Sequence, residues 1–203
     1  MRSIDKQLML ACAVLLLTAC AGTPTRTGEP ISALGKREGA IAEQSYKAAI
    51  DQMQQGRFAG AEKTLLEMTR RWPMLSGPYA NLGLIYLRQG DPAKAEPVLS
   101  KAVAVNPKNG AAWNALGLVR RGKGDFEGAE QAYRQAISAA PESAEAHRNL
   151  GILYDLYLDR PKEALAEYRS CQRLTQDDDK ALSQWIAVVE KRVKTGVAGR
   201  TRP

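Results

Sequence analysis

Residues 76–109 read SGPYANLGLIYLRQGDPAKAEPVLSKAVAVNPKN. The triplet Gly90-Asp91-Pro92 divides this stretch. Glycine can take the left-handed conformation that ends a helix. Aspartate caps the helix that follows, and proline sits in its first turn, where a missing N–H costs nothing. Before the break, Leu82, Gly83 and Tyr86 share one helical face. After it, Pro107 prevents the second helix from running on. The small residues Gly83 and Ala95 let the two helices approach closely, while Tyr79 and Leu99 fill the wider gaps. The stretch is therefore a pair of antiparallel helices with one apolar side.

The pair recurs. Pro73, Pro107 and Pro141 are 34 residues apart. Gly83, Gly117 and Gly151 keep the same spacing, as do Leu82, Leu116 and Leu150. So do Asp91, Asp125 and Asp159, the alanines 61, 95 and 129, and the glycines 56, 90 and 124. One such pair cannot bury its apolar face alone, so the pairs must stack.

This period resembles the tetratricopeptide repeat. Tyr79, Leu82, Gly83, Tyr86, Ala95, Leu99, Ala102 and Pro107 occupy that family's signature places in residues 76–109. Trp113, Leu116, Gly117, Ala129, Tyr133, Ala136 and Pro141 do so in 110–143, where Arg120 replaces the usual aromatic. The unit 42–75 is weaker at its start, with Ser45 and Ala48 where larger residues are usual. The unit from 144 carries an extra residue, placed after Asp159, so Ala164, Tyr168 and Cys171 fall one place late. The resemblance implies an all-α, right-handed superhelix of four helix pairs: 42–75, 76–109, 110–143 and 144–178. A stripe of Leu182, Trp185, Ile186, Val189 and Val193 marks 179–194 as a capping helix, with Asp177 to Asp179 at its start. Residues 195–203 read as a disordered tail.

The N-terminus carries a different signal. Arg2 and Lys6 precede the apolar run LMLACAVLLL at 8–17, which is too short to span a bilayer as a helix. Two cleavage readings follow. Ala19 and Ala21 form an ordinary signal-peptidase site, which would release a soluble product beginning at Gly22. Alternatively, Leu17-Thr18-Ala19-Cys20 resembles the lipobox of bacterial lipoproteins, which implies removal of 1–19 and acylation of Cys20. The second reading is the expectation. Ala21, rather than Asp, after the cysteine implies the outer membrane under the familiar sorting rule. Residues 20–41, rich in Pro, Gly and Thr at their start, are expected as the lipidated Cys followed by a flexible linker.

Composition narrows the chemistry. The chain has 203 residues, 25% charged and 44% apolar, with a formal net charge of +7. The basic residues are spread out, so a solvated surface is expected and no nucleic-acid partner. Three cysteines and one histidine, His147, make no metal cluster. Cys171 reads as a small core residue and His147 as packing. No nucleophile constellation or phosphate loop is present, so neither enzyme activity, cofactor nor small-molecule substrate is expected.

The resemblance also implies where a partner binds. In this family the first helices line a concave groove that takes extended peptides or helices. The matching positions are Tyr46, Ile50 and Met53; Asn81, Leu84 and Arg88; Asn114, Leu118 and Arg121; and Arg148, Asn149 and Ile152. Amides there could pair with a partner's backbone and arginines with carboxylates. Of the places that form the carboxylate clamp of chaperone-binding members, only Asn81 fits. The expectation is a non-catalytic envelope scaffold, facing the periplasm. It resembles repeat lipoproteins of pilotin type or those accompanying TonB-type systems. A cell-wall accessory that recruits peptidoglycan enzymes and a soluble periplasmic adaptor are the alternatives.

Overall fold

The computed structural model describes residues 35–175 and 179–196. The expected signal segment, Cys20, the linker up to 34, Asp177, Asp178 and the tail beyond Gly196 lie outside the described residues. Among the described residues nine helices follow one another: α1 (Lys36–Gln54), α2 (Phe58–Arg71), α3 (Ser76–Arg88), α4 (Pro92–Val105), α5 (Gly110–Gly122), α6 (Phe126–Ala139), α7 (Ala144–Ile152), α8 (Pro161–Leu174) and α9 (Lys180–Thr195). A π-helical turn, Leu153–Tyr157, extends α7. There is no strand among the described residues. The pairs stack as an all-α superhelix.

The turns follow the sequence logic. Gly56, Gly90 and Gly124 have φ of 73°, 73° and 81°, values that an L side chain adopts only at a cost. Asp91 and Asp125 accept hydrogen bonds from the backbone N–H of Lys94 and Gly128. Asn109, Ser143 and Asp179 cap α5, α7 and α9 in the same way.

Within the second, third and fourth pairs the glycine of the first helix receives the large side chain of the second; Ala49 stands at that place in the first pair. A Cβ at Gly83 would lie 2.3 Å from Leu99, at Gly117 2.5 Å from Tyr133, and at Gly151 2.6 Å from Tyr168. Ala61, Ala95, Ala129 and Ala164 are fully buried on the facing helices. Leu65, Leu82, Leu99, Leu116 and Leu150 complete the interior. Each buried leucine contributes about 2 kcal/mol through removal of apolar surface from water. Cys171 is buried among them, as its small size implied. His147 sits between Glu167, 2.6 Å from its Nδ1, and the Pro141 carbonyl, 3.1 Å from its Nε2.

Two features differ from expectation. First, α1 begins at Lys36, inside the segment expected as linker up to 41. The extra turn is held by Glu38, whose carboxylate accepts from Arg71 Nη2 at 2.9 Å and from the Trp72 indole at 3.2 Å. Ile41 packs on the core behind it.

Second, the extra residue of the fourth pair lies before Asp159, not after it. In the first three pairs, the N–H of Arg57, Asp91 and Asp125 reaches back five residues, to the carbonyls of Gln52, Tyr86 and Arg120. In the fourth, Arg160 N–H reaches back six, to Tyr154. The π-helical turn absorbs the insertion. Asp159, at φ 49°, therefore stands where the other pairs have glycine. It does not cap α8. Arg160 occupies the N-cap place and makes no side-chain cap.

The last helix buries Leu182, Ile186 and Val189. Its half-buried Trp185 lies 6.1 Å from the Tyr168 ring. Arg148–Asp179 and Arg169–Glu190 tie its start and middle to the fourth pair, and Arg192 pairs with Asp155 and Asp159.

Candidate functional site on the concave face

The first helices α3, α5 and α7 touch one another directly, while the second helices are splayed apart. The stack therefore curves toward the first helices, and their outward sides form the concave face. Ile50, Leu84, Leu118 and Ile152 repeat along it at intervals of 34 residues. All four are half-buried. Leu84 and Met53 also pack against the first part of the core, and Leu118 and Ile152 against the second. The floor of the groove is thus the exposed edge of the inter-repeat core.

The expected amide contacts to a partner need correction. Asn149 is 1% and Asn114 6% exposed, and Asn149 Nδ2 donates to Asn114 Oδ1 at 3.0 Å. Asn81 donates to the Tyr46 hydroxyl at 2.7 Å and to the Gly77 carbonyl at 3.1 Å. These amides, 35 residues apart or facing a tyrosine at that spacing, join consecutive first helices. Burial in the joint, where each group must find a protein partner, removes Asn114 and Asn149 from the groove, whereas Asn81 is half-buried with its amide N–H engaged. Burial pushes the Tyr46 phenol up from its usual range, against the pull of the Asn81 bond.

Two of the three arginines are also engaged. Arg88 is exposed, but its guanidinium lies 4.3 Å from the Phe58 ring centroid. Arg148 pairs with Asp179 at 2.5 Å. Arg121 differs: its guanidinium lies 5.7 Å from the Tyr157 ring centroid, and its buried Nη1 has no hydrogen-bond partner.

Around Arg121 the face carries further groups, of which Glu145 and Tyr157 were not expected there. Glu145, on the first turn of α7, takes a hydrogen bond from Asn114. Burial pushes its carboxyl up, opposed by that bond and by Arg148. Asp155 is pushed up by burial as well, opposed by Arg192. Tyr157 enters through the π-helical turn and packs 5.0 Å from Phe126. The shifted period of the fourth pair was the sequence signal for that turn. No group of ligands for a metal occurs among the described residues. None of the described helices is long and apolar enough to cross a membrane.

A tetratricopeptide-repeat family model matches residues 80–140 and 115–179. The chain belongs to the tetratricopeptide-repeat family. Solved structures with the same fold include MamA, at 21% identity, covering 75% of this chain and 82% of that one, with a TM-score of 0.64. PilF of Pseudomonas aeruginosa is 19% identical over 76% of this chain and 69% of its own, with a TM-score of 0.67. A tetratricopeptide-repeat protein from Parabacteroides merdae is 22% identical over 76% and 60%, with a TM-score of 0.62. No curated protein matches it in sequence. As a tetratricopeptide-repeat protein it is a scaffold for protein–protein interaction.

Proposed function

We propose that this tetratricopeptide-repeat protein is an envelope lipoprotein, anchored through Cys20, that presents its concave groove to the periplasm and assists assembly of an envelope complex. A type IV pilus secretin or a TonB-type transport system is the kind of machine it serves. It acts by binding, without catalysis or cofactor of its own. The observation that carries the binding role is the row Ile50, Leu84, Leu118 and Ile152, half-exposed at one register along the concave face. Such a row matches alternate side chains of an extended segment or one face of a helix. The lipobox Leu17-Thr18-Ala19-Cys20 supports the anchor, and acyl chains on its cysteine would hold the scaffold at the outer membrane. The fold shared with PilF is consistent with a pilus setting.

Crosslinking in intact cells tests the groove. Leu84→Glu with Leu118→Glu should abolish the specific crosslinks of the parent chain; their full retention sinks the groove reading. The mass of the mature N-terminus tests the anchor. An acylated Cys20 is expected, and an unmodified chain starting at Gly22 would leave the soluble adaptor instead.

A further inference from the structure

The third and fourth repeats place two equivalent arrangements in succession. In each, a tyrosine from the second helix crosses the glycine of the first helix, toward the residue one turn further along it. Tyr168 crosses Gly151, and its hydroxyl donates to Asp155 Oδ2 at 3.4 Å. Arg192 of α9 donates to the other oxygen, Oδ1. Hydroxyl and guanidinium thus share one carboxylate, while Arg192 Nε stays without a partner.

Tyr133 crosses Gly117 in the same manner. One turn on, however, stands Arg121, a donor in the place of the acceptor Asp155. The Tyr133 side chain is 0% exposed, and its hydroxyl has no hydrogen-bond partner. Arg121 Nη1 is likewise buried and unpartnered. The third repeat thus holds the hydroxyl and the guanidinium but lacks the carboxylate. Buried donors without an acceptor cost stability, and a cation screened from water calls for an anion.

We propose that a partner supplies the missing group: a carboxylate of an extended peptide docks at Arg121 and the Tyr133 hydroxyl, as Asp155 does at Arg192 and Tyr168. This rests on the groove reading above, since the peptide must lie along the concave face. Docking requires the half-buried Arg121 side chain to turn and uncover the Tyr133 hydroxyl. Tyr157 flanks the guanidinium, Asn114 is held by Asn149, and Glu145 is the neighbouring acid. Glu145 is already bonded to Asn114; burial pushes its carboxyl up, and where it is ionised it opposes an incoming carboxylate. The amide joint thus also keeps Glu145 from filling the site itself.

The test is fluorescence anisotropy on the full chain with three dye-labelled octapeptides of Leu, Ala and Ser. One has a free C-terminal carboxylate, one is amidated, and one is amidated with a central Glu. At least one carboxylate peptide should bind about tenfold more tightly than the neutral one. Which one does so distinguishes a chain terminus from an acidic side chain. Arg121→Gln should erase the preference, and Glu145→Gln should strengthen it. Tyr133→Phe should act in two directions: it raises the Tm of the free chain by removing an orphaned hydroxyl, yet weakens the carboxylate peptide. Equal binding of all three peptides, binding of none, or a preference that survives Arg121→Gln overturns the proposal. Tyr133→Phe with unchanged affinity removes the hydroxyl from it. If the site fails while the Leu84→Glu, Leu118→Glu pair still abolishes crosslinks, the groove reading stands without it.

Discussion

Glu145 shows how one side chain can link stability to pH in this fold. It stands on the first turn of α7, where a carboxylate complements the helix dipole, yet burial dominates and raises its pKa in the folded chain. Below the unfolded-state pKa both states are protonated and the residue costs nothing. As pH rises through that value, the unfolded chain ionises first, and stability falls until the folded carboxyl ionises too. Glu145→Gln removes this cost while keeping an acceptor for Asn114. Its gain in Tm over the parent is therefore expected to be larger at about pH 7.5 than at about pH 4. Thermal unfolding at the two pH values measures the difference; a gain that is equal at both would show that the carboxyl carries no burial cost. Asp159 makes a separate point at this scale. The 34-residue spacing placed it with the capping aspartates 91 and 125, but its φ of 49° puts it with the glycines 56, 90 and 124. Aspartate tolerates that region better than most residues, and Arg192 holds its carboxylate at 3.0 Å.

At the scale of elements, the helix pairs were legible because spacing, turn residues and the small–large complement all pointed the same way. Gly90-Asp91-Pro92 ended one helix and began another without ambiguity. The insertion was legible as a shift in register but not in position, because Asp159 lay on the repeat's own period by coincidence. Only the backbone bond from Arg160 to Tyr154 locates it. The start of α1 was hidden for another reason: it depends on Glu38 meeting Arg71 and Trp72, 33 and 34 residues away. The groove residues were half legible. The apolar row stood out by period, whereas the amides did not announce whether they faced a partner or the next helix. The π-helical turn yields a prediction. Leu156 is 55% exposed, so deleting it removes the extra residue at little cost in buried surface. The deletion variant should fold cooperatively with Tm lowered by only about 2–4 °C. The Arg160 bond should then reach back five residues, as in the other pairs. A crystal structure of the variant checks this; a chain that keeps the bulge by shifting α8 instead would contradict it.

At the scale of the molecule, stability is spread along a line of neighbours rather than around one centre. Each repeat touches the next, and the end of the line must be covered. Here α9 covers it by burying Leu182, Ile186 and Val189 against the fourth pair. It also supplies Arg192 to Asp155 and Asp179 to Arg148. Ending the chain after Thr175 would therefore remove three buried apolar side chains, together worth about 6 kcal/mol of burial, and bare the surface beneath them. It would also leave Asp155 buried beside Tyr168 without its arginine. The loss should be local. Repeats one to three have their own turns, cores and joints, so the truncated chain is expected to unfold in two steps. A new low-temperature step should belong to α7 and α8, and the main transition should stay close to that of the parent. Hydrogen exchange followed by peptide mapping resolves the two: amides of α7 and α8 should lose protection while those of α3 to α5 keep it. Uniform loss of protection along the whole chain would mean that the solenoid folds as one cooperative body, with α9 as a global rather than a terminal support.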